Sequence, residues 1–103
     1  MKKILIVDDE PNIVMTLEYT FKKSNYEVFI ARDGQEALDI LKTNFPDVII
    51  LDIMMPMVDG FATLVQIRKD DNLQHTKVMF LSAKNKESDI EKGLALGADA
   101  YMT

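Results

Sequence analysis

Four short apolar runs, spaced so that helical periodicity fits between them, constrain this chain most. They are Ile4-Leu5-Ile6-Val7, Val28-Phe29-Ile30-Ala31, Val48-Ile49-Ile50-Leu51 and Val78-Met79-Phe80-Leu81. Each is rich in β-branched or aromatic residues, and none alternates apolar with polar. Strands buried on both faces read this way, which implies a parallel sheet covered by helices. A fifth candidate strand, Asp99-Ala100-Tyr101-Met102-Thr103, closes the sequence. Between the runs the spacing turns helical. Ile13, Leu17 and Phe21 recur at four-residue steps, with Val14 widening the stripe. Pro11 precedes them, where a first helical turn tolerates it because its missing N–H would have no partner. Asp33 and Glu36 have capping-box spacing ahead of Ala37, Leu38 and Leu41. Asp59-Gly60 can open a third helix carrying Phe61, Leu64, Val65 and Arg68. Ser88 and Glu91 repeat the box spacing before Leu94, with Asn85 as an alternative cap, and Gly97 is a C-terminal stop.

Strict alternation of this kind implies an α/β fold with a parallel sheet. A barrel needs eight such units, and this chain has barely five. What remains is an open, doubly wound sheet with right-handed crossovers. The flavodoxin-like strand order 2-1-3-4-5 fits five strands. It predicts a ligand crevice beyond the carboxyl ends of the strands, beside strands one and three. A length of 103 residues leaves room for one domain only.

Twelve basic against 17 acidic residues give a net charge of −5. A domain that acidic is a poor binder of phosphate backbones, so no direct nucleic-acid contact is expected. The absence of cysteine excludes disulfides and thiolate metal sites and permits a reducing compartment. The apolar runs fall far short of the ~20 residues a membrane helix needs. Met1-Lys2-Lys3 leads into a four-residue apolar run and then two aspartates, which is not a signal-peptide pattern. A cytoplasmic location with no membrane partner is the expectation.

The strand ends carry the chemistry. The first run ends in Asp8-Asp9-Glu10, the third in Asp52 and the fourth in Ser82. The crevice rule brings these ends to one rim. Aspartate often ends a strand simply because it favours turns and helix caps, and Asp33 and Asp59 fit that role. Asp8, Asp9 and Asp52 do not, because they end the two buried strands that flank the switch point. Crowded carboxylates raise one another's pKa unless a cation compensates. Oxygen ligands suit a hard divalent ion, Mg²⁺ above all. With no cysteine, and the lone His75 beyond a polar stretch that reads as surface loop, zinc and copper are disfavoured. The Ser82 hydroxyl can donate a hydrogen bond to an anion held over the carboxylates. As a nucleophile it lacks a histidine within reach. Tyr101, on residues alone, reads as core or rim packing. Met54, Met55 and Met57 read as flexible packing rather than a soft-metal site.

Taken together, five blocks resemble the receiver domain of two-component response regulators. They are Ile6-Val7-Asp8-Asp9-Glu10, Asp47 through Asp52, Met55-Pro56 with Asp59-Gly60, Leu81-Ser82-Ala83, and Gly97-Ala98-Asp99-Ala100-Tyr101. The likeness runs from residue 2 to residue 103. It implies that Asp52 is the phosphoacceptor, forming an acyl phosphate. It implies that Asp9 is a direct Mg²⁺ ligand, that Asp8 acts mainly through bound water, and that the Met54 backbone carbonyl adds a ligand. It implies that Ser82 is a switch hydroxyl and Tyr101 its partner aromatic, and that Pro56 and Gly60 shape the loop. The implied phosphodonor is a sensor histidine kinase or a phosphotransfer protein. The implied activity is a phosphorylation-controlled switch of a partner-binding face, not a turnover enzyme.

The family places a Lys-Pro pair after the strand that carries Tyr101, and the sequence stops at Thr103. The expectation is one receiver domain over residues 1–103, cut within strand five and lacking the fifth helix. Phosphorylation is then expected to be impaired. Apolar faces of strands around the sheet centre and far edge, including Ile4 or Leu5, are expected to be bared, favouring self-association, swapping or partner binding. Two alternatives stand beside this reading. One is a phosphorylation-impaired scaffold or interaction domain. The other is a Mg²⁺-dependent aspartyl phosphatase, opposed by Met54 where that chemistry wants a second acid. Asp99-Ala100 before Tyr101 leaves a standalone or non-DNA output open.

Overall fold

The structure, a computed structural model, describes residues 1–53, 60–81 and 87–102. Its strands are β1 (Lys2–Val7), β2 (Tyr26–Ala31), β3 (Val48–Asp52), β4 (Lys77–Leu81) and β5 (Ala100–Met102). Its helices are α1 (Pro11–Lys23), α2 (Gly34–Ile40), α3 (Gly60–Lys69) and α4 (Glu87–Ala95), with a 3₁₀ turn at Asp71–Leu73. All strands are parallel, in the order β2-β1-β3-β4-β5. This is the expected doubly wound sheet. None of the described helices is long and apolar enough to cross a membrane.

Strand periodicity divides the core. Leu5, Val7, Ile49, Leu51, Val78 and Phe80 point to one face and meet Ala37 and Leu41 from the α2 region and Phe61, Leu64 and Ile67 from α3. Ile4, Ile6 and Ile50 alternate to the other face, where α1 packs on β1 and β2. The expected baring of Ile4 or Leu5 does not occur. Both are wholly inaccessible, because helices cover both faces of β1: α1 packs on one, and Leu5 lies on the other in the cluster with α2 and α3 residues. Exposure falls on α1 instead, where no residue is fully buried and Met15 and Tyr19 are two-thirds accessible.

The helix boundaries follow local chemistry. Pro11 is the first residue of α1, and the Glu10 carboxylate accepts the Asn12 N–H at 3.2 Å. Asn25, at φ 67°, turns the chain from α1 into β2 in the left-handed conformation asparagine tolerates. Asp33 caps α2 by accepting the Glu36 N–H at 2.8 Å, as its spacing predicts. At α4 the expected box fails. The helix starts at Glu87, so Ser88 lies inside it and is not its cap, while Asn85 lies outside the described residues. The stop is as expected: Gly97, at φ 107°, donates to Leu94 O and Ala98 donates to Gly93 O, both at 3.1 Å. The stretch after α3 is more ordered than a surface loop. Asp70 caps the 3₁₀ turn and Leu73 is buried, although His75 is exposed as expected.

Arg68, at the end of α3, ties this lower edge together. Its guanidinium donates to Gly97 O, Thr76 O and the Asp99 carboxylate, each at 2.9 Å. The same Asp99 oxygen accepts the Val78 N–H at 2.9 Å, which locks the start of β5 to β4.

Candidate metal centre

The register builds the site. Val7 pairs with Leu51, so the next residues, Asp8 just past β1 and Asp52 at the end of β3, lie side by side at the carboxyl ends of these adjacent strands. Asp9 follows on the turn into α1. One carboxylate oxygen from each of Asp8, Asp9 and Asp52 lies within 4.8 Å of the others. Asp8 is buried, Asp52 half-buried and Asp9 exposed. The strand-end rule therefore brings together the three aspartates it singled out. Ser82 and Met54 lie outside the described residues. Tyr101 is half-buried on β5, its ring 5.9 Å from that of Phe80.

Asp8 is held from two sides. Its N–H donates to Ala31 O at 3.0 Å, extending the β1–β2 ladder by one bond. Its carboxylate accepts the Glu10 N–H at 2.9 Å. Burial pushes its pKa above the ordinary carboxylate value of 3.8; the Glu10 N–H opposes this, and the charges of Asp9 and Glu10 add to it. Crowding of carboxylates was the expected cause, but loss of water around Asp8 is the larger one.

The sign has a consequence. A carboxyl with a higher pKa folded than unfolded binds more protons when folded, so stability falls as pH rises from 3.8 through the raised value. At neutral pH the charged Asp8 therefore opposes folding in the metal-free protein. Asp8→Asn keeps an acceptor for the Glu10 N–H and removes the charge. It is expected to raise the melting temperature at neutral pH in the presence of chelator. The gain should vanish as the pH falls below 3.8. A lower melting temperature for the variant at neutral pH would contradict this.

The donor set suits a hard divalent cation: three carboxylates, with no nitrogen or sulfur among them. Opposite ligands at ~2.1 Å from Mg²⁺ stand ~4.2 Å apart, so the observed spread leaves scope for one carboxylate to act through water. Beside the aspartates opens a cleft of about 470 Å³ lined by Asp8, Asp9, Val14, Met15, Ile30 and Arg32. Arg32 is exposed and was not singled out from the sequence. It stands one residue beyond β2, the strand next to β1, so the strand-end rule that selected Asp8 would have found it.

The response regulator receiver domain family matches residues 4–103. Over 102 residues the chain is 46% identical to the alkaline phosphatase synthesis transcriptional regulatory protein PhoP of Bacillus subtilis, covering 99% of this chain and 42% of that one. It thus spans less than half the length of this curated relative. The Vibrio cholerae chemotaxis protein CheY4 superposes with a TM-score of 0.94 at 32% identity, covering 100% of this chain and 86% of that one. The phosphorylated cyanobacterial phytochrome response regulator RcpA gives 0.93 at 32% identity, covering 99% and 79%. The chain belongs to the response regulator receiver domain family.

Proposed function

We propose that this domain is a phosphorylation-controlled switch whose phosphoacceptor is Asp52. The observation that carries the reading is the convergence of Asp8, Asp9 and Asp52 on one rim, at the carboxyl ends of the two central strands. A carboxylate oxygen of Asp52 attacks phosphorus, the bond from phosphorus to the donor's nitrogen or oxygen breaks, and the donor leaves with that electron pair. Asp52 becomes an acyl phosphate. Both reactants are anionic, so positioning and charge neutralisation do most of the work. Mg²⁺ would be held by Asp9 and Asp52, with Asp8 assisting through water and the Met54 carbonyl as a further ligand, and would supply that neutralisation.

Asp8 keeps its carboxylate on the rim through its bonds to Ala31 and Glu10. Ser82 donates a hydrogen bond to a phosphoryl oxygen, and Tyr101 follows it inward. The donor is a sensor histidine kinase or a phosphotransfer protein, and the domain works in the cytoplasm. Phosphorylation acts only by stabilising one of two conformations more than the other. The similarity to a transcriptional regulatory protein supports an output in gene control.

Intact-mass measurement tests this. The protein, incubated with Mg²⁺ and a small acyl phosphate, is expected to gain one phosphoryl group in a reduced fraction of the molecules, and excess chelator is expected to prevent the gain. No modification with Mg²⁺, or equal modification with chelator, would sink the reading. Sustained phosphate release from generic phosphomonoesters would replace it with the phosphatase alternative.

A further inference from the structure

We infer that Gly93 is a positioning residue that couples the ring of Tyr101 to helix α4, an inference that rests on the switch reading above. Gly93 sits in the second turn of α4 and is buried. A Cβ there would lie 2.9 and 3.0 Å from Cδ2 and Cε2 of Phe80, and 3.3 Å from Cδ2 of Tyr101. The first distance is one that real Cβ atoms essentially never show and the other two are tight, so only glycine lets the helix backbone lie this close to the Phe80 ring and beside that of Tyr101. Glycine inside a helix is less stable than alanine. The close approach gives that cost a structural reason.

Among the described side chains of α4 outside Gly93, burial is slight. Glu91, Lys92, Leu94 and Ala95 are exposed, and Ile90 is half-buried. Lys92 reaches back to place its amine 4.4 Å from the centre of the Phe61 ring. Phe61 meets Phe80 edge-on at 5.3 Å, and Phe80 meets Tyr101 at 5.9 Å. Three rings from α3, β4 and β5 thus form a row under α4. The Gly93 carbonyl also accepts the Ala98 N–H, which ties the helix end to the turn leading into β5. Most helix contacts run through side chains that can change rotamer. At Gly93 no side chain intervenes, so a Tyr101 ring displaced toward α4 presses on the helix backbone itself. Close-packed contacts of this kind have discrete arrangements rather than a continuous range.

The test follows amide and ring NMR signals on adding Mg²⁺ with beryllofluoride, a phosphoryl mimic, to the wild type, Gly93→Ala, Phe80→Leu and the double variant. In the wild type, signals around Asp8–Glu10, the Tyr101 ring and the amides of residues 91–95 are expected to shift. In Gly93→Ala the Asp8–Glu10 shifts are expected to remain, while those of residues 91–95 fall about twofold or more. Phe80→Leu removes the ring edge that the new Cβ would strike, so the double variant is expected to recover the α4 response of Phe80→Leu alone. If Gly93→Ala does not fold, that last comparison decides. An unchanged α4 response in Gly93→Ala, a parallel loss at Asp8–Glu10, or no recovery in the double variant would overturn the inference. A wild type with no response at Asp8–Glu10 would overturn the switch reading itself, and the inference with it.

Discussion

Phosphoryl incorporation is expected to fall by on the order of a thousandfold or more, to below detection, when Asp52 is replaced by asparagine. The substitution conserves shape at the last residue of β3 and keeps one oxygen facing the rim. It removes the anionic oxygen that would attack phosphorus, and an amide cannot substitute as a nucleophile. Metal binding should suffer less, because Asp8 and Asp9 remain as carboxylates beside the amide oxygen. The pair of measurements matters more than either alone. Intact mass reports the nucleophile, and a Mg²⁺ titration reports the cation site. Asp9→Ala should invert the pattern, with a weakened titration and incorporation that recovers as Mg²⁺ is raised. Wild-type incorporation in Asp52→Asn would assign the phosphoacceptor to another residue.

The contrast between the two ends of the sheet explains how much of this site was legible in the sequence. Strand ends can be read because a buried parallel strand must be apolar until it leaves the sheet, so the first acidic residue after the run marks the rim. Asp8 and Asp52 were found that way, and the register confirms their adjacency. Asp47 and Asp99 show the limit of that logic. Both lie just before strands, at the opposite end of the sheet, and both serve the backbone. Asp47 accepts the Lys3 N–H at 2.8 Å, and Asp99 accepts the Val78 N–H and the Arg68 guanidinium at 2.9 Å. Asp8 and Asp52 at the carboxyl ends of strands and Asp47 and Asp99 ahead of strands thus do different jobs.

What the sequence hid was contact across elements. Nothing in the spacing around Gly93 says that a helix backbone rests on Phe80 and Tyr101, because close approach is a property of the packed pair. Arg68 read as one member of a helical stretch, yet it bridges α3, the 3₁₀ turn and the start of β5. Ser88 misled for a local reason, since capping-box spacing recurs by chance wherever serine precedes glutamate by three. The burial of Ile4 and Leu5 likewise depends on packing across elements: β1 is an interior strand, with α1 over one face and α2 and α3 residues over the other.

Gly60 presents a stricter constraint than any of these, and Gly60→Ala is expected to be the most disruptive single-methyl change in the described fold. Gly60 is the first residue of α3 and donates its N–H to Ile53 O at 3.1 Å. A Cβ added there would stand 2.5 Å from the Asp52 carbonyl oxygen and 2.8 Å from the Ile53 Cα. These are backbone atoms, so no rotamer change relieves the clash. Either α3 or the end of β3 must move. Helix α3 is fixed by Phe61, Leu64 and Ile67 in the core, and Ile53 is itself buried. A shift on either side gives up packing there, at a cost of about 3 kcal/mol. For a domain of this size that corresponds to roughly 12–24 °C in melting temperature. Melting should be measured with chelator, so that metal binding does not mask the loss. Whatever fraction folds should also bind Mg²⁺ about tenfold more weakly, because the displaced backbone carries the Asp52 carboxylate with it. A melting temperature within about 2 °C of wild type would show that the strand end yields at little cost. The tight junction between β3 and α3 would then have no part in holding Asp52 on the rim.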